Sequence, residues 1–261
     1  MIDTLRDMLR SVATAFAVFS RIRVPCGQWK AENMRFVLAS FPLVGVVLGL
    51  LLAVWWWLCS RLAFGCILFS AGITLLPLLF TGGIHLDGFC DTVDALSSRA
   101  ESEKKHAILK DPHIGAFAAI GVSAYLLGYF ALGTALDTGR ASVALLFFVP
   151  VLSRATAGLV SVFSASASEG LLETLRKAAP GNSAKWALAG WFGLCAIAMI
   201  AVSPLTGMVA VLAAALCGLL VWRQAKRQFG GMSGDVAGYL LQMCELAMLF
   251  ALTLMQGVIR I

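Results

Sequence analysis

Charge is what this chain has least of. Asp, Glu, Lys and Arg make up 13% of its 261 residues, against about 25% in an ordinary soluble domain. With 60% hydrophobic residues and a mean hydropathy of +0.88, polar material is too sparse to cover a core in water. A soluble fold is excluded on that ground, and lipid must solvate much of the surface. Cysteine pairs are also missing: Cys26, Cys59, Cys66, Cys90, Cys195, Cys217 and Cys244 form no CxxC and no zinc-ligand spacing. Most lie in apolar runs, where a free thiol behaves as a small hydrophobe, so no disulfide framework is expected. Nor is there a clean signal peptide, because Asp3, Arg6, Asp7 and Arg10 interrupt the N-terminal stretch. Residues 3–20 read instead as an amphipathic helix lying along a membrane surface.

Long apolar runs are abundant. A helix crossing the hydrocarbon core needs about 20 predominantly apolar residues. Seven stretches qualify, at 36–58, 62–81, 113–136, 141–163, 185–202, 205–222 and 236–258. Backbone polar groups in lipid must pair within their own segment, which favours helices, and the run at 43–58 lacks the alternating polar residues of a barrel strand. The expected fold is all-α: a polytopic membrane bundle of about seven spans. An N-terminal amphipathic helix and a motif-bearing cytoplasmic helix complete one domain over 1–261.

The basic residues orient it. Arg6, Arg10, Arg21, Arg23, Lys30 and Arg35 precede the first span. Arg99, Lys104, Lys105 and Lys110 follow the second, Arg176, Lys177 and Lys185 the fourth, and Arg223, Lys226 and Arg227 the sixth. The other side holds only Arg61, Arg140 and Arg260. By the positive-inside bias the basic side is cytoplasmic. The net charge of +6 therefore reports topology, and no nucleic-acid partner is expected.

Acidic residues are fewer and more telling. Six of the fourteen fall in the second cytoplasmic loop, namely Asp87, Asp91, Asp94, Glu101, Glu103 and Asp111. On a helix, Asp87, Asp91 and Asp94 lie within roughly 60° of one another. Such a stripe is either a solvated acidic face or a cation site, because clustered carboxylates repel unless an ion sits between them. All donors are oxygens, which suits a hard ion such as Mg²⁺. Gly82-Gly83 just before the stripe offers an unwound turn where backbone can approach a phosphate, and His85 is either structural or an acid–base group. A second acidic site opens the last span at Gly230-Gly231-Met232-Ser233-Gly234-Asp235. Its glycines and hydroxyl are suited to phosphate oxygens, and Asp235 to a metal. Asp235, Gly238, Gln242 and Glu245 fall within about 80° of one another, a polar stripe that must face protein or a water-filled cavity. Arg154, alone inside a span, requires either an acid such as Glu245 or a bound anion.

The stretches GGIHLDGFCDTVDAL, ILKDPHIGAF and GGMSGDVAGYLLQMCEL resemble the motifs of the cobalamin synthase family, the adenosylcobinamide-GDP ribazoletransferases. Phe19-Ser-Arg-Ile-Arg-Val-Pro25 and Phe41-Pro-Leu-Val-Gly45 are similar to that family's N-terminal pattern, so the resemblance spans nearly the whole chain. Arg21-Ile-Arg23 stands where the family more often has one arginine, and His113 where an arginine is common.

The resemblance implies an Mg²⁺-dependent transferase in a bacterial cytoplasmic membrane, with its active site on the cytoplasmic side. It would join adenosylcobinamide-GDP to α-ribazole or its 5′-phosphate and release GMP. Asp87, Asp91 and His85 are the expected catalytic residues, and Asp87, Asp91, Asp94 and Asp235 the expected metal ligands. Arg154, Gly230, Gly231, Ser233, Gly234, Asp111 and Arg21 are the expected substrate contacts. A carboxylate or His85 would take the proton of the ribazole 5′-hydroxyl. Membrane lipids surround such an enzyme, and a homo-oligomer is compatible with it. Two other readings use the same charges. One is a CDP-alcohol phosphotransferase-like lipid enzyme, whose signature this sequence breaks at Ile84 and Asp91-Thr92. The other is an ion-coupled transporter using Arg154, Asp235 and Glu245.

Overall fold

A computed structural model describes residues 2–24 and 31–259. Pro25, Cys26, Lys30 and Arg260 lie outside the described residues, as do the side chains of 2–5, 31–32 and 259. The described chain is helical from end to end: α1 (Ile2–Phe19), α2 (Ala31–Met34), α3 (Val37–Arg61), α4 (Cys66–Thr81), α5 (Ile84–Ser97), α6 (Ser102–Ile108), α7 (Ala116–Ala135), α8 (Arg140–Phe163), α9 (Leu171–Ala178), α10 (Ser183–Val202), α11 (Pro204–Gln228) and α12 (Gly234–Ile259).

Six of these helices, α3, α7, α8, α10, α11 and α12, are long and apolar enough to cross a membrane. The span expected over 62–81 is shorter than the sequence suggests. Ala63 takes φ 52° and α4 starts only at Cys66, leaving 16 residues, about 24 Å of helix against a hydrocarbon core of about 30 Å. The chain then turns by 95° into α5. Gly82 and Gly83 make that corner with φ of 69° and 83°, values that side-chain-bearing residues rarely adopt. The motif-bearing helix is thus a separate segment lying across the bundle's end.

Cross-contacts define the two ends. At one, Trp56 donates from Nε1 to the Thr138 carbonyl at 2.8 Å, and the Gln256 amide donates to Ser142 Oγ at 2.6 Å. At the other lie the α4–α5 corner, the start of α12 and the basic loops. Here the Arg21 amide donates to the Phe80 carbonyl at 2.8 Å, and His106 approaches the Phe229 carbonyl at 3.1 Å.

The core is built on α8 and α12, whose most apolar stretches are 72% and 61% buried. α3 presses against α8 through Gly45 and Gly49, where a Cβ would stand 2.4 Å from the carbonyl oxygens of Pro150 and Phe147. Two small residues four apart, letting backbones touch, are a common way for helices to associate in lipid. α7 and α10 are peripheral, 22% and 17% buried over the same kind of window, and expose Leu127, Leu194 and Ile197. This is the arrangement expected of a multi-pass membrane protein.

Candidate active site

A cavity of about 270 Å³ opens at the basic end. The first turn of α5 supplies Ile84, His85 and Asp87, and the first turn of α12 supplies Gly234, Asp235, Ala237 and Gly238. Phe19 and Phe41 form one wall, Ala157 and Gly158 of α8 another, and Ser168, Glu169 and Gly170 a third. Two motifs almost 150 residues apart therefore meet. They meet closely: a Cβ on Gly88 would lie 2.8 Å from the Asp235 backbone, and one on Gly238 would lie 2.9 Å from the His85 carbonyl. Both glycines are where α5 and α12 cross.

Two helix N-termini face this cavity, and their unpaired N–H groups favour anions. The carboxylates beside them favour cations. Asp91 is half-buried next to the cavity, and burial, then the charges of Asp87, Asp235 and Asp94, push its carboxyl up to about 6. His85 is 6% exposed, held between Phe19 and Phe41 at ring-centroid distances of 6.0 and 5.7 Å. Its Nε2 is buried without a hydrogen-bond partner. Burial first, and then the positive charge of Arg154, hold the imidazole well below the usual histidine range. The imidazole shares the cavity lining with Asp87 and Asp235, and its orphaned, neutral ring nitrogen is suited to meeting a substrate hydroxyl.

Among the described residues no three Asp, Glu, His or Cys side chains converge at the bonding distance of one ion. The donor set nevertheless fits a hard divalent cation. Mg²⁺ keeps several waters and takes one or two carboxylates together with substrate phosphate oxygens, rather than a complete protein cage. Asp87 and Asp235, with Asp91 behind them, offer that pattern.

Several expected contacts take other roles. Asp94 does not lie free among the metal candidates: Oδ2 accepts the Gly115 amide at 2.7 Å and Oδ1 the Ala118 amide at 2.8 Å. It caps α7 from another helix. Arg154 is not a cavity residue. It is 1% exposed, and its Nη1 donates to Glu245 Oε1 at 3.0 Å and to the Pro150 carbonyl at 2.9 Å. Ser153 donates to the same carboxylate oxygen at 3.0 Å. The foreseen acid, Glu245, is thus a direct partner, while Arg154 Nε is buried without one. Asp111 is exposed, and its Oδ1 accepts the His113 amide at 3.0 Å in a local turn. Arg21 is exposed and lies against Gly82, whose Cβ would stand 2.9 Å from its Cγ.

The 230–234 turn divides its residues. Gly234 lines the cavity, and Ser233 Oγ accepts the Val236 amide at 3.2 Å at the start of α12. Gly230 turns the chain with φ 74° and open space beside it, while Gly231 packs against the 164–170 loop. There Met232 donates to the Ala165 carbonyl at 2.9 Å and accepts from the Ala167 amide at 3.0 Å. A Cβ on Gly231 would stand 2.3 Å from the Ala165 oxygen, so this glycine is explained by a backbone contact. The sequence reading missed the Ser168–Gly170 wall altogether. Its only signal is a short run of small polar residues after the fourth span, ending in Glu169-Gly170.

Residues 11–253 match the sequence model of the cobalamin-5-phosphate synthase family. An adenosylcobinamide-GDP ribazoletransferase of Lachnoclostridium phytofermentans is 39% identical over 252 residues, covering 96% of each chain. One of Geobacillus kaustophilus is 35% identical over 219 residues, 82% of this chain and 83% of that one. One of Clostridium perfringens is 30% identical over 241 residues, 92% of this chain and 96% of that one. No solved structure matches. A family model covering nearly the whole length, and relatives matched from end to end, make this chain an enzyme of the cobalamin-5-phosphate synthase family.

Proposed function

We propose that this protein joins adenosylcobinamide-GDP to α-ribazole or α-ribazole 5′-phosphate, releasing GMP, with Mg²⁺ as the required ion. Its site would face the cytoplasm of a bacterial inner membrane, the side that the basic loops favour. The substrates are those in the relatives' names. The observation that carries the reading is the shared cavity, lined by Asp87, Asp235 and a histidine whose buried Nε2 has no partner.

In the transfer, a ribose oxygen of the acceptor bonds to the phosphorus attached to cobinamide. The bond from that phosphorus to the bridging oxygen breaks, and GMP leaves with the electron pair. The 5′-hydroxyl is not the nucleophile this requires, because in α-ribazole 5′-phosphate that oxygen is already esterified. A ribose ring hydroxyl serves both acceptors. His85 would accept its proton at Nε2. The N-terminal turns of α5 and α12 direct their amides toward the diphosphate, while Asp87 and Asp235 repel it unless an ion intervenes. Asp87, Asp235 and, behind them, Asp91 would hold Mg²⁺, which would supply charge neutralisation for the phosphate oxygens and the departing GMP. The half-enclosing apolar wall of Phe19, Leu38 and Phe41 limits water at the reacting phosphorus, which protects the diphosphate from hydrolysis.

The test uses detergent-solubilised full-length protein with no membrane gradient. Adenosylcobinamide-GDP, α-ribazole and Mg²⁺ are expected to give GMP and adenosylcobalamin in equal amounts, and EDTA is expected to abolish both. Absence of GMP release with Mg²⁺ present would sink the assignment. Turnover unaffected by EDTA would sink the role of the ion alone.

A further inference from the structure

Between α8, α10 and α11 the bundle leaves a groove of about 410 Å³. Its walls are almost wholly apolar, formed chiefly by Thr156, Val160, Phe163, Phe192, Gly218 and Trp222. From Thr156 to Phe163 on α8, and from Ala215 to Trp222 on α11, it runs along about 10 Å of helix. Both helices run toward the basic end, so the groove descends from that end toward the middle of the bilayer. At its mouth Phe163 and Trp222 are shared with a second cavity of about 210 Å³, which adds Ser164, Lys226 and Gly230. Lys185 Nζ lies 5.2 Å from the Phe163 ring centroid, and Lys226 Nζ 5.8 Å from that of Trp222. Among the described residues neither ammonium has an ion-pair partner.

We propose that this groove seats one acyl chain of an anionic phospholipid from the leaflet at the basic end, with the lipid phosphate between Lys185 and Lys226. Polarity and direction both fit that occupant. The apolar slot points into the membrane, and two unpaired cations stand at its mouth, flanked by aromatic rings that suit the interface. A soluble anion would leave the slot empty, and a zwitterionic lipid would leave the cations without net compensation.

The seat adjoins the catalytic apparatus. Gly230 and Gly231, which line the headgroup cavity, belong to the turn that is hydrogen-bonded through Met232 to Ala165 and Ala167. The same loop continues into Ser168, Glu169 and Gly170 at the acidic cavity. Lipid and substrate would therefore contact opposite sides of one loop pair, and occupancy of the seat would steady the wall of the other site.

The experiment is native mass spectrometry of the full-length protein in detergent, titrated with phosphatidylglycerol and, separately, phosphatidylcholine. The wild type is expected to retain one phosphatidylglycerol per chain at concentrations where phosphatidylcholine is lost. Lys185→Glu with Lys226→Glu should weaken that retention by at least about tenfold, since each basic residue at an anionic surface contributes roughly fivefold or more. Ala215→Phe, placed on an exposed face of α11 that lines the slot, should abolish it while the protein stays monodisperse. If the charge-reversed pair does not yield monodisperse protein, Ala215→Phe decides the matter. Equal retention of both lipids by the wild type, or unchanged retention in Ala215→Phe, overturns the proposal. Displacement of the lipid by sn-glycerol 3-phosphate also overturns it, since the site would then recognise phosphate without the chain.

Discussion

Two clusters of charge in this protein obey opposite rules. In the bundle core, Arg154 and Glu245 are both nearly inaccessible and bond to each other at 3.0 Å, with Ser153 and the Pro150 carbonyl joining them and Arg154 Nε left without a partner. At the basic end, Asp87, Asp91 and Asp235 crowd together, and no cationic side chain among the described residues bonds any of them. The first cluster is neutralised from within and holds α8 to α12. The second stays repulsive until something arrives from outside. A cluster whose charges cancel serves architecture, whereas one whose charges repel serves a ligand.

The sharpest way to break this comparison is to treat both clusters alike. Asp87→Asn should lower turnover by about 10³-fold, about 4.1 kcal/mol in barrier. Its melting temperature should be unchanged or higher, because one repulsive charge is gone. GMP release and a thermal melt on the same sample check both halves. A mutant that loses stability instead would make the acidic cluster structural. Arg154→Met should do the reverse, destabilising the bundle by about 3 kcal/mol by leaving Glu245 charged and unpaired. Adding Glu245→Leu should restore most of that loss. If Arg154→Met instead melts normally and only substrate affinity falls, Arg154 contacts the ligand after all.

Divalent ion sharpens the same contrast. Mg²⁺ should raise the melting point of the wild type by relieving repulsion at the cavity, up to about 2.7 kcal/mol at a hundred times its Kd. It should do nothing for Asp87→Asn, and should leave Arg154→Met shifted as much as the wild type. A Mg²⁺ response that survives in Asp87→Asn would move the ion elsewhere.

Much of this arrangement is legible in the chain. Helical spans announce themselves by apolar length, and α3, α8 and α12 begin and end close to where hydropathy puts them. The polar stripe of the last span is legible because helical period alone puts Asp235, Gly238, Gln242 and Glu245 on one face. Each then finds protein or cavity: Asp235 the acidic cavity, Gly238 the α5 backbone, Gln242 the Tyr125 hydroxyl, Glu245 the Arg154 guanidinium. What stays hidden is the choice of partner. Helical period puts Asp94 on the same stripe as Asp87 but cannot reveal that a turn twenty residues later brings amides to it. Gly231 likewise looks like part of a phosphate loop until the 164–170 backbone lies against it. Residues 164–170 are nearly silent in sequence, since a wall made of small residues carries no pattern of its own.

Asp94 gives the smallest predicted effect and the finest discrimination. Both of its oxygens are engaged by the first amides of α7, so its charge is already answered by that helix's N-terminal dipole. Asp94→Asn keeps one acceptor, loses one bond and the charge, and should cost about 1 kcal/mol of stability while turnover changes only a few-fold. Asp87→Asn, on the same face of the same helix, should cost no stability and nearly all turnover. Measured side by side, the two substitutions separate the carboxylate that builds α7 from the one that waits for substrate. If Asp94→Asn instead matches Asp87→Asn in lost turnover at an unchanged melting point, the cap opens during the reaction and Asp94 joins the acidic site.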